Sequence, residues 1–353
     1  MIFLFLNRKM GQTLSEPVTT KISATCRDDN YLVGSSCMQG WRIKMEDCHV
    51  HILSLPDDPG TSFFAVYDGH GGATTSQHAG KHLHEYITKT DEYKEGKIIE
   101  AMQQGFLQLD KAMQSDSAMK TIRSGTTVIA CLIKDNILYC ANAGDSRAVA
   151  CVCGEVVPLS RDHKPSLTEE RTRIEAAGGW VQFNRVNGHL ALSRALGDFM
   201  FKDNKSKNQE EQIVTAFPEV QKHNITEDWE FVILACDGIW DVMSSSEVIE
   251  FIRNYIATLK NFDKPIYPDE ICEELLDHCL APDALMGTGC DNMTVVLVCF
   301  LHGKPSTFLE LQCQRPSKDQ SQGTETRREE NIMFDDEGGE EEEDEDGDGD
   351  GDD

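Results

Sequence analysis

Five apolar runs along the chain predict buried strands. They lie at residues 62–67, 126–133, 137–141, 231–236 and 294–300. Each is rich in β-branched, aromatic or small apolar residues and is too short for a helix that crosses a core. Because neither face of these runs alternates with polar residues, we expect the strands to be covered on both sides.

A second pattern, with an apolar residue at every third or fourth position, predicts three amphipathic helices. The second of them follows the Ser244-x-x-Glu247 sequence of a capping box. The apolar stripes consist of Ile98, Met102, Phe106, Leu109 and Met113, then Val248, Ile252, Tyr255 and Leu259, and finally Ile271, Leu275 and Cys279.

The order of these elements predicts an α+β fold. Strands occur before and between the helices without regular alternation, which favours antiparallel layers over a doubly wound parallel sheet. We expect residues 1–30 to be a loosely ordered lead-in and residues 31–302 to form one folded domain. Residues 303–353 lose the apolar periodicity, turn polar and then acidic, and are predicted to be a disordered tail.

The formal net charge of the 353 residues is −28. The last nineteen residues contribute fourteen acidic groups and no basic ones, and the rest of the chain still carries −14. An acidic body argues against a nucleic-acid-binding protein, which needs cations for phosphate contacts. The tail has three open interpretations: weak attraction of cations, contact with basic proteins, or an inert solvated segment.

The thirteen cysteines form no Cys-x-x-Cys pair, and several lie within apolar runs. This indicates reduced core cysteines and a reducing, intracellular compartment. We expect the cytoplasm, with the nucleus as an open alternative. No apolar window has the length of a membrane span. Met10-Gly11 begins an N-myristoylation pattern if translation starts there, with residues 1–9 as an upstream artefact. One such acyl chain would give only weak membrane association.

Aspartates mark the ends of the predicted strands. Asp68, Asp145 and Asp237 follow three of them, and Asp291 lies shortly before another. A single Asp-Gly pair is equally well read as a turn. In an antiparallel sheet, however, the start of one strand lies beside the end of its neighbour, so all four carboxylates can gather at one end. Oxygen ligands alone favour Mg²⁺ or Mn²⁺.

A pair of such cations can share a carboxylate, bind hydroxide and clamp phosphoryl oxygens. Arg42 is a candidate to bind the phosphate through its guanidinium. The alternative is that Arg42 forms a surface ion pair with Glu46, if that segment is helical. The chain has no Cys-x₅-Arg stretch, P-loop, kinase signature or Gly-x-Ser-x-Gly elbow. The pattern therefore favours metal-dependent phosphoryl chemistry.

Seven stretches, in order, resemble the successive motifs of metal-dependent protein serine/threonine phosphatases of the type 2C (PPM) family. They span about residues 30–302 and read SSCMQGWRIKMEDCH, FFAVYDGHGG, SGTTVIA, ANAGDSRAV, LALSRALGDF, FVILACDGIWDV and GCDNMTVVLVCF. The resemblance implies a four-layer α-β-β-α sandwich with two central antiparallel sheets. It also implies two Mg²⁺ or Mn²⁺ ions at one end of that sandwich, and phosphoproteins as substrates.

The resemblance also implies a role for each matching residue. Asp68 would bridge the metals, the Gly69 carbonyl would bind one of them, and Asp237 and Asp291 would complete the other. Glu46 and Asp47 would hold metal-bound waters. A metal-activated water would attack the phosphorus, with Arg42 gripping the phosphate and His70 protonating the leaving group. Asp145 and Asp241 match a looser third metal position.

These residues favour an active monomeric enzyme. The rival hypothesis is a non-catalytic phosphoprotein-binding scaffold that kept the fold, and the intact carboxylates at Asp68, Asp237 and Asp291 argue against it.

Overall fold

The computed structural model describes residues 13–258 and 265–316. Its strands are β1 (Thr13–Arg27), β2 (Tyr31–Arg42), β3 (Cys48–Ile52), β4 (Ser62–Tyr67), β5 (Gly69–His70), β6 (Gly125–Thr126), β7 (Val128–Lys134), β8 (Ile137–Ala143), β9 (Arg147–Val152), β10 (Glu155–Pro158), β11 (Val181–Gln182), β12 (Arg185–Val186), β13 (Leu196–Gly197), β14 (Glu219–Asn224), β15 (Trp229–Ala235) and β16 (Met293–Phe300).

The α-helices of the described residues are α1 (Thr74–Thr88), α2 (Asp91–Lys94), α3 (Ile98–Ser115), α4 (Thr168–Ala176), α5 (Asp237–Trp240), α6 (Ser245–Thr258), α7 (Pro268–Cys279) and α8 (Thr307–Cys313). Short 3₁₀ turns occur at Met119–Thr121, Phe199–Phe201 and Ala284–Met286. None of the described helices is long and apolar enough to cross a membrane.

Two antiparallel sheets form the centre of the fold. The first sheet has the order β1-β2-β16-β15-β9-β10, and the second has the order β14-β8-β7-β4-β3. A small three-stranded sheet, β13-β6-β5, continues from the end of β4. Every strand pairing within these sheets is antiparallel. Within each sheet, the start of one strand therefore lies beside the end of its neighbour.

Three apolar clusters separate four layers, as the α+β expectation requires. One cluster packs α6, α7 and α8 on the first sheet, another joins the two sheets, and the third packs α1 and α3 on the second sheet. The surroundings of strand β15 explain why its sequence is apolar throughout. Ile233 faces the helices while Val232 and Leu234 face the other sheet, because successive side chains point to opposite faces.

The elements predicted from periodicity agree with this architecture. The run at residues 62–67 is β4, the run at 137–141 begins β8, and the three helical stripes lie on α3, α6 and α7, except that Leu259 lies outside the described residues. The capping box is also confirmed. The Ser244 amide donates to the Glu247 carboxylate at 2.7 Å, and the Glu247 amide donates to the Ser244 hydroxyl at 3.3 Å.

Two predictions about the ends of the domain are wrong. Residues 13–27 are not a loose lead-in but form β1, which pairs with β2. Its side chains are mostly exposed or half-buried, so main-chain hydrogen bonds rather than an apolar pattern place it in the sheet. The disordered tail predicted from residue 303 onwards is wrong for residues 307–313. They form helix α8, which buries Leu309 and Cys313 against the first cluster. Met10-Gly11 and the acidic segment lie outside the described residues.

Candidate metal and phosphate site

A cleft of about 830 Å³ opens where strand ends of both sheets meet. Asp68 follows β4, Asp145 follows β8, Asp237 begins α5 directly after β15, and Asp291 stands two residues before β16. Eight of the ten predicted site residues line the cleft: Arg42, Glu46, Asp68, Gly69, His70, Asp145, Asp237 and Asp291.

A close approach of two main-chain segments brings Glu46 to this cleft. A Cβ atom placed on Gly69 would lie 2.1 Å from the Glu46 carbonyl oxygen, so no other residue fits there without moving the chain. The Glu46 amide in turn donates to the Asn292 side chain at 3.0 Å. The segment that carries Glu46 is therefore held between the end of β4 and the start of β16.

The cleft concentrates negative charge. Burial, and then repulsion from Asp237 and the other cleft carboxylates, raises the pKa of Asp68 well above its usual value. Burial and repulsion from Asp145, Asp291 and Asp241 do the same to the pKa of Asp237. Carboxylates that destabilise one another in this way need a cation to remain ionised.

Two side chains of the protein supply part of that positive charge. Arg42 forms an ion pair with Asp291, and Lys164 binds Asp145 at 2.5 Å. Within residues 13–258 and 265–316, no three His, Cys, Asp or Glu side chains converge closely enough to form a ready metal cage. Arg42 ends β2, so its partner is Asp291 across the sheet and not Glu46 along a helix.

The two remaining predicted residues do not line the cleft. Asp47 accepts a hydrogen bond from Thr294 Oγ1 at 2.7 Å, while its Oδ1 is buried and finds no partner among the described residues. Burial raises the pKa of Asp47 to about 7. Asp241 is exposed on the surface and acts on the cleft only through its charge, which repels Asp237 and Asp145.

His70 is held by a carboxylate that the sequence analysis did not assign. Asp198 Oδ2 lies 2.6 Å from His70 Nε2, and Asp198 is 5% exposed. Burial alone would lower the pKa of His70, but the charge and hydrogen bond of Asp198 outweigh it and raise that pKa. Asp198 has left-handed backbone angles, φ 53° and ψ 39°, which aspartate tolerates better than most residues.

Gly125 makes room for this pair. It lies opposite His70 across β5 and β6, and opposite Gly197 across β6 and β13. A Cβ atom on Gly125 would lie 2.1 Å from Asp198 Oδ2 and 2.5 Å from His70 Nε2. The Gly-Asp ending of the quoted LALSRALGDF stretch was the available signal, but only the three-stranded sheet shows which residue Asp198 serves.

Comparisons with known proteins identify the family to which the chain belongs. The family model described as protein phosphatase 2C matches residues 31–285. A probable protein phosphatase 2C of Caenorhabditis elegans is 59% identical over 309 residues, covering 87% of this chain and 85% of the relative. The chain belongs to the protein phosphatase 2C family.

Other relatives agree with this assignment. A protein phosphatase 2C homolog of Hypocrea jecorina is 50% identical over 84% of this chain and 68% of its own length. A crystal structure of a phosphatase from a pathogenic strain of Toxoplasma gondii covers 81% of this chain and 97% of its own, with 26% identity and a TM-score of 0.68. The family resemblance predicted from the seven motifs is thus confirmed.

Family membership makes the chain a protein serine/threonine phosphatase that acts on phosphoproteins and depends on a metal of the Mg²⁺ or Mn²⁺ type. The donors in the cleft fit such cations. The carboxylates that line it offer oxygen ligands and repel one another. Asp47 does not line the cleft, but its charge helps to raise the pKa of Asp68, and one of its buried oxygens lacks a partner among the described residues.

Proposed function

We propose that the phosphatase hydrolyses phosphoserine and phosphothreonine in proteins by a two-metal mechanism with His70 as the general acid. The observation that carries this proposal is the convergence of Asp68, Asp237 and Asp291 on one cleft that also contains Arg42 and His70. Carboxylates, a guanidinium and a positioned imidazole are the groups that this reaction requires.

The cations would be held by Asp68, the Gly69 carbonyl, Asp237 and Asp291, with Glu46 and Asp47 holding water around them. Asp145 and Asp241 would serve a third, looser position. When bound, two such ions neutralise the carboxylates, polarise phosphoryl oxygens and lower the pKa of water so that hydroxide is available at neutral pH. We assign to Asp68 the role of holding both ions, and the repulsion of its carboxylate by Asp237, Asp47, Asp291 and Asp145 supports this assignment.

Arg42 would bind the substrate phosphate. Its side chain is 39% exposed at the cleft, where it now pairs with the 35%-exposed side chain of Asp291. A partly exposed pair of this kind is weak, so an incoming phosphate dianion can replace Asp291 as the partner of the guanidinium. The Gln39 side chain donates a hydrogen bond to the Arg42 carbonyl at 2.9 Å, and this bond holds the backbone that carries the Arg42 side chain.

His70 would protonate the departing serine or threonine oxygen. Its Nε2 is engaged by Asp198, and its Nδ1 has no hydrogen-bond partner among the described residues, so Nδ1 is the atom that can deliver a proton. Asp198 orients the ring and stabilises the charged imidazolium, as a carboxylate does for a catalytic histidine. An alkoxide is a poor leaving group, so this proton matters most for protein substrates.

The test is release of phosphate from a neutral phosphoserine peptide with Mn²⁺, with Mg²⁺ and with excess chelator. We expect turnover with either metal, loss on chelation and full recovery when the metal is restored. Calorimetric titration of the metal-free protein should give at least two ions per chain. Turnover in chelator would contradict the proposal, and metal binding without any turnover would favour the non-catalytic scaffold.

A further inference from the structure

A second depression lies on the other side of Asp198 from the cleft. It has a volume of about 580 Å³, and its walls come from the end of α3, the segment at residues 120–123 and the segment at residues 198–205. The side chains that give it its character are Lys120, Ile122, Arg123, Phe199, Met200 and Lys205, and we call it the basic groove.

The charge of the basic groove is opposite to that of the molecule. Lys120, Arg123 and Lys205 are all exposed, and within the described residues none of their side chains makes an ion pair or a side-chain hydrogen bond. Asp203 is the one exposed carboxylate among the residues that line it. The groove is thus a local concentration of unpaired cations on a chain whose net charge is −28.

The two buried charged groups that line the groove already have partners. Lys202 is buried and binds both oxygens of Asp110, at 2.8 and 2.9 Å, and Asp198 is buried against His70. They form a rigid floor. Lys120, Arg123 and Lys205 therefore remain available for an outside ligand.

The groove packs against the segment that carries His70. A Cβ atom on Gly71 would lie 2.7 Å from the Arg123 carbonyl oxygen, so the main chain at Arg123 packs directly on the residue that follows His70. Asp198 lines the groove while its carboxylate holds His70, which lines the cleft. A peptide whose phosphorylated residue occupies the cleft therefore has neighbouring residues within reach of the groove, since each extended residue spans about 3.3 Å.

We infer that the basic groove binds an acidic segment of the phosphoprotein substrate, next to the phosphorylated residue. This rests on the proposed function, because the occupant is part of its substrate. Three exposed cations from two separate segments of the chain, residues 120–123 and 198–205, suit several Asp or Glu carboxylates along a peptide. A single phosphate would instead need donors that converge on one point. Phe199 and the 65%-exposed Met200 offer apolar contact to a side chain between those carboxylates.

The first test measures binding without catalysis. The probe is a fluorescent, unphosphorylated peptide with alternating Glu and apolar residues, and the reference peptide has Gln in place of each Glu. Anisotropy is measured with chelator present, so that the cleft presents only its own carboxylates. We expect the acidic peptide to bind the unaltered protein more tightly than the Gln peptide, and its affinity to fall as salt is raised.

The matched variants separate the groove from general electrostatics. Lys120→Ala/Lys205→Ala removes two charges from the groove, and Lys81→Ala/Lys222→Ala removes two exposed charges from elsewhere. We expect the groove variant to bind the acidic peptide about tenfold more weakly, and the control variant to change affinity less than twofold. Equal losses in the two variants, or no preference of the unaltered protein for the acidic peptide, would overturn the inference.

Measurements of turnover then distinguish a failure of this inference from a failure of the proposed function. With two phosphoserine peptides that differ only in Glu or Gln flanks, the kcat/KM ratio of acidic to neutral peptide should fall about tenfold in the groove variant, through KM. An unchanged ratio would overturn the inference while leaving the phosphatase activity intact. If neither peptide is hydrolysed but the groove still binds the acidic probe, the proposed function fails, and the assignment of the groove to a substrate fails with it. A preference of the groove for acidic peptides would then be all that remains.

Discussion

Two groups of carboxylates, one buried around Glu170 and one half-buried in the cleft, show opposite electrostatics. Glu170 on α4 is 1% exposed and is bound by Arg173 at 2.7 Å and by Arg194 at 2.6 Å. Burial alone would raise the pKa of Glu170, but the arginines lower it to about 2. In the cleft, Asp68 and Asp237 have each other as neighbours, and their pKa values are raised well above the usual range.

The difference separates a structural carboxylate from a functional one. Glu170 comes with its own cations, so its charge stabilises the folded chain by tying α4 to Arg194. The cleft carboxylates destabilise one another and are tolerated because rigid strand ends hold them in place. Removing a charge should therefore cost stability at Glu170, and activity at Asp68.

Asp68→Asn is expected to have the largest effect, a loss of turnover of at least about 10⁴-fold, because in the proposed site Asp68 would carry the central charge for the cations. Its unfolding free energy in chelator should equal or exceed that of the unaltered protein, since one repelling charge is gone. The rise in Tm that Mn²⁺ gives the unaltered protein should shrink in the variant.

Asp57→Asn, at an exposed position, is the control for Asp68→Asn and should alter none of these quantities. A marked drop in the metal-free stability of Asp68→Asn would break the contrast with Glu170.

His70→Gln should reduce turnover of a phosphoserine peptide by roughly 10²–10⁴-fold, the usual contribution of a positioned acid. Turnover of p-nitrophenyl phosphate should fall much less, because its leaving group is already a stable anion. Both substrates are measured at saturating Mn²⁺, so that metal occupancy does not confuse the result. Equal losses on the two substrates would make His70 a structural or metal-organising residue.

Glu170→Gln should lower the free energy of unfolding by about 3 kcal/mol, because it leaves two arginines with an uncompensated buried charge. The folded pKa of about 2 lies below the unfolded value of about 4.3, so this contribution is present above pH ~4.3 and is lost as the pH falls towards 2. Urea unfolding of the unaltered protein should therefore show a loss over this pH window that the variant lacks.

Glu175→Gln, on the same helix in the exposed pair with Arg171, is the matched control and should cost less than about 1 kcal/mol. A stability loss in Glu175→Gln as large as that in Glu170→Gln would show that burial of the ion pair is not the cause.

Asp198→Asn should have the smallest effect, about a tenfold loss on the phosphoserine peptide with little change on p-nitrophenyl phosphate. Asp198 resembles Glu170 in being buried with a partner, but that partner is His70, so its effect should appear in catalysis. The double variant His70→Gln/Asp198→Asn should be no slower than His70→Gln alone, since both act through one proton. Fully additive losses would mean that Asp198 acts independently of His70.

Much of the fold and part of the site could be predicted from local sequence. The apolar runs of β4, β8, β15 and β16 are covered on both faces by a helix layer and a sheet, so burial leaves an unambiguous pattern. The aspartates at their ends follow from the same reasoning, because strand termini of antiparallel sheets meet at one edge.

Two features of the structure, strand β1 and the contact between His70 and Asp198, could not be predicted from the pattern of apolar and polar side chains. Strand β1 is held mainly by main-chain hydrogen bonds to β2, which any residue but proline can make, so its polar sequence resembled a loose lead-in. The pairing of His70 with Asp198 joins residues 128 positions apart through three short strands. Periodicity reports how one segment faces the core, whereas such contacts depend on how several segments are arranged in space.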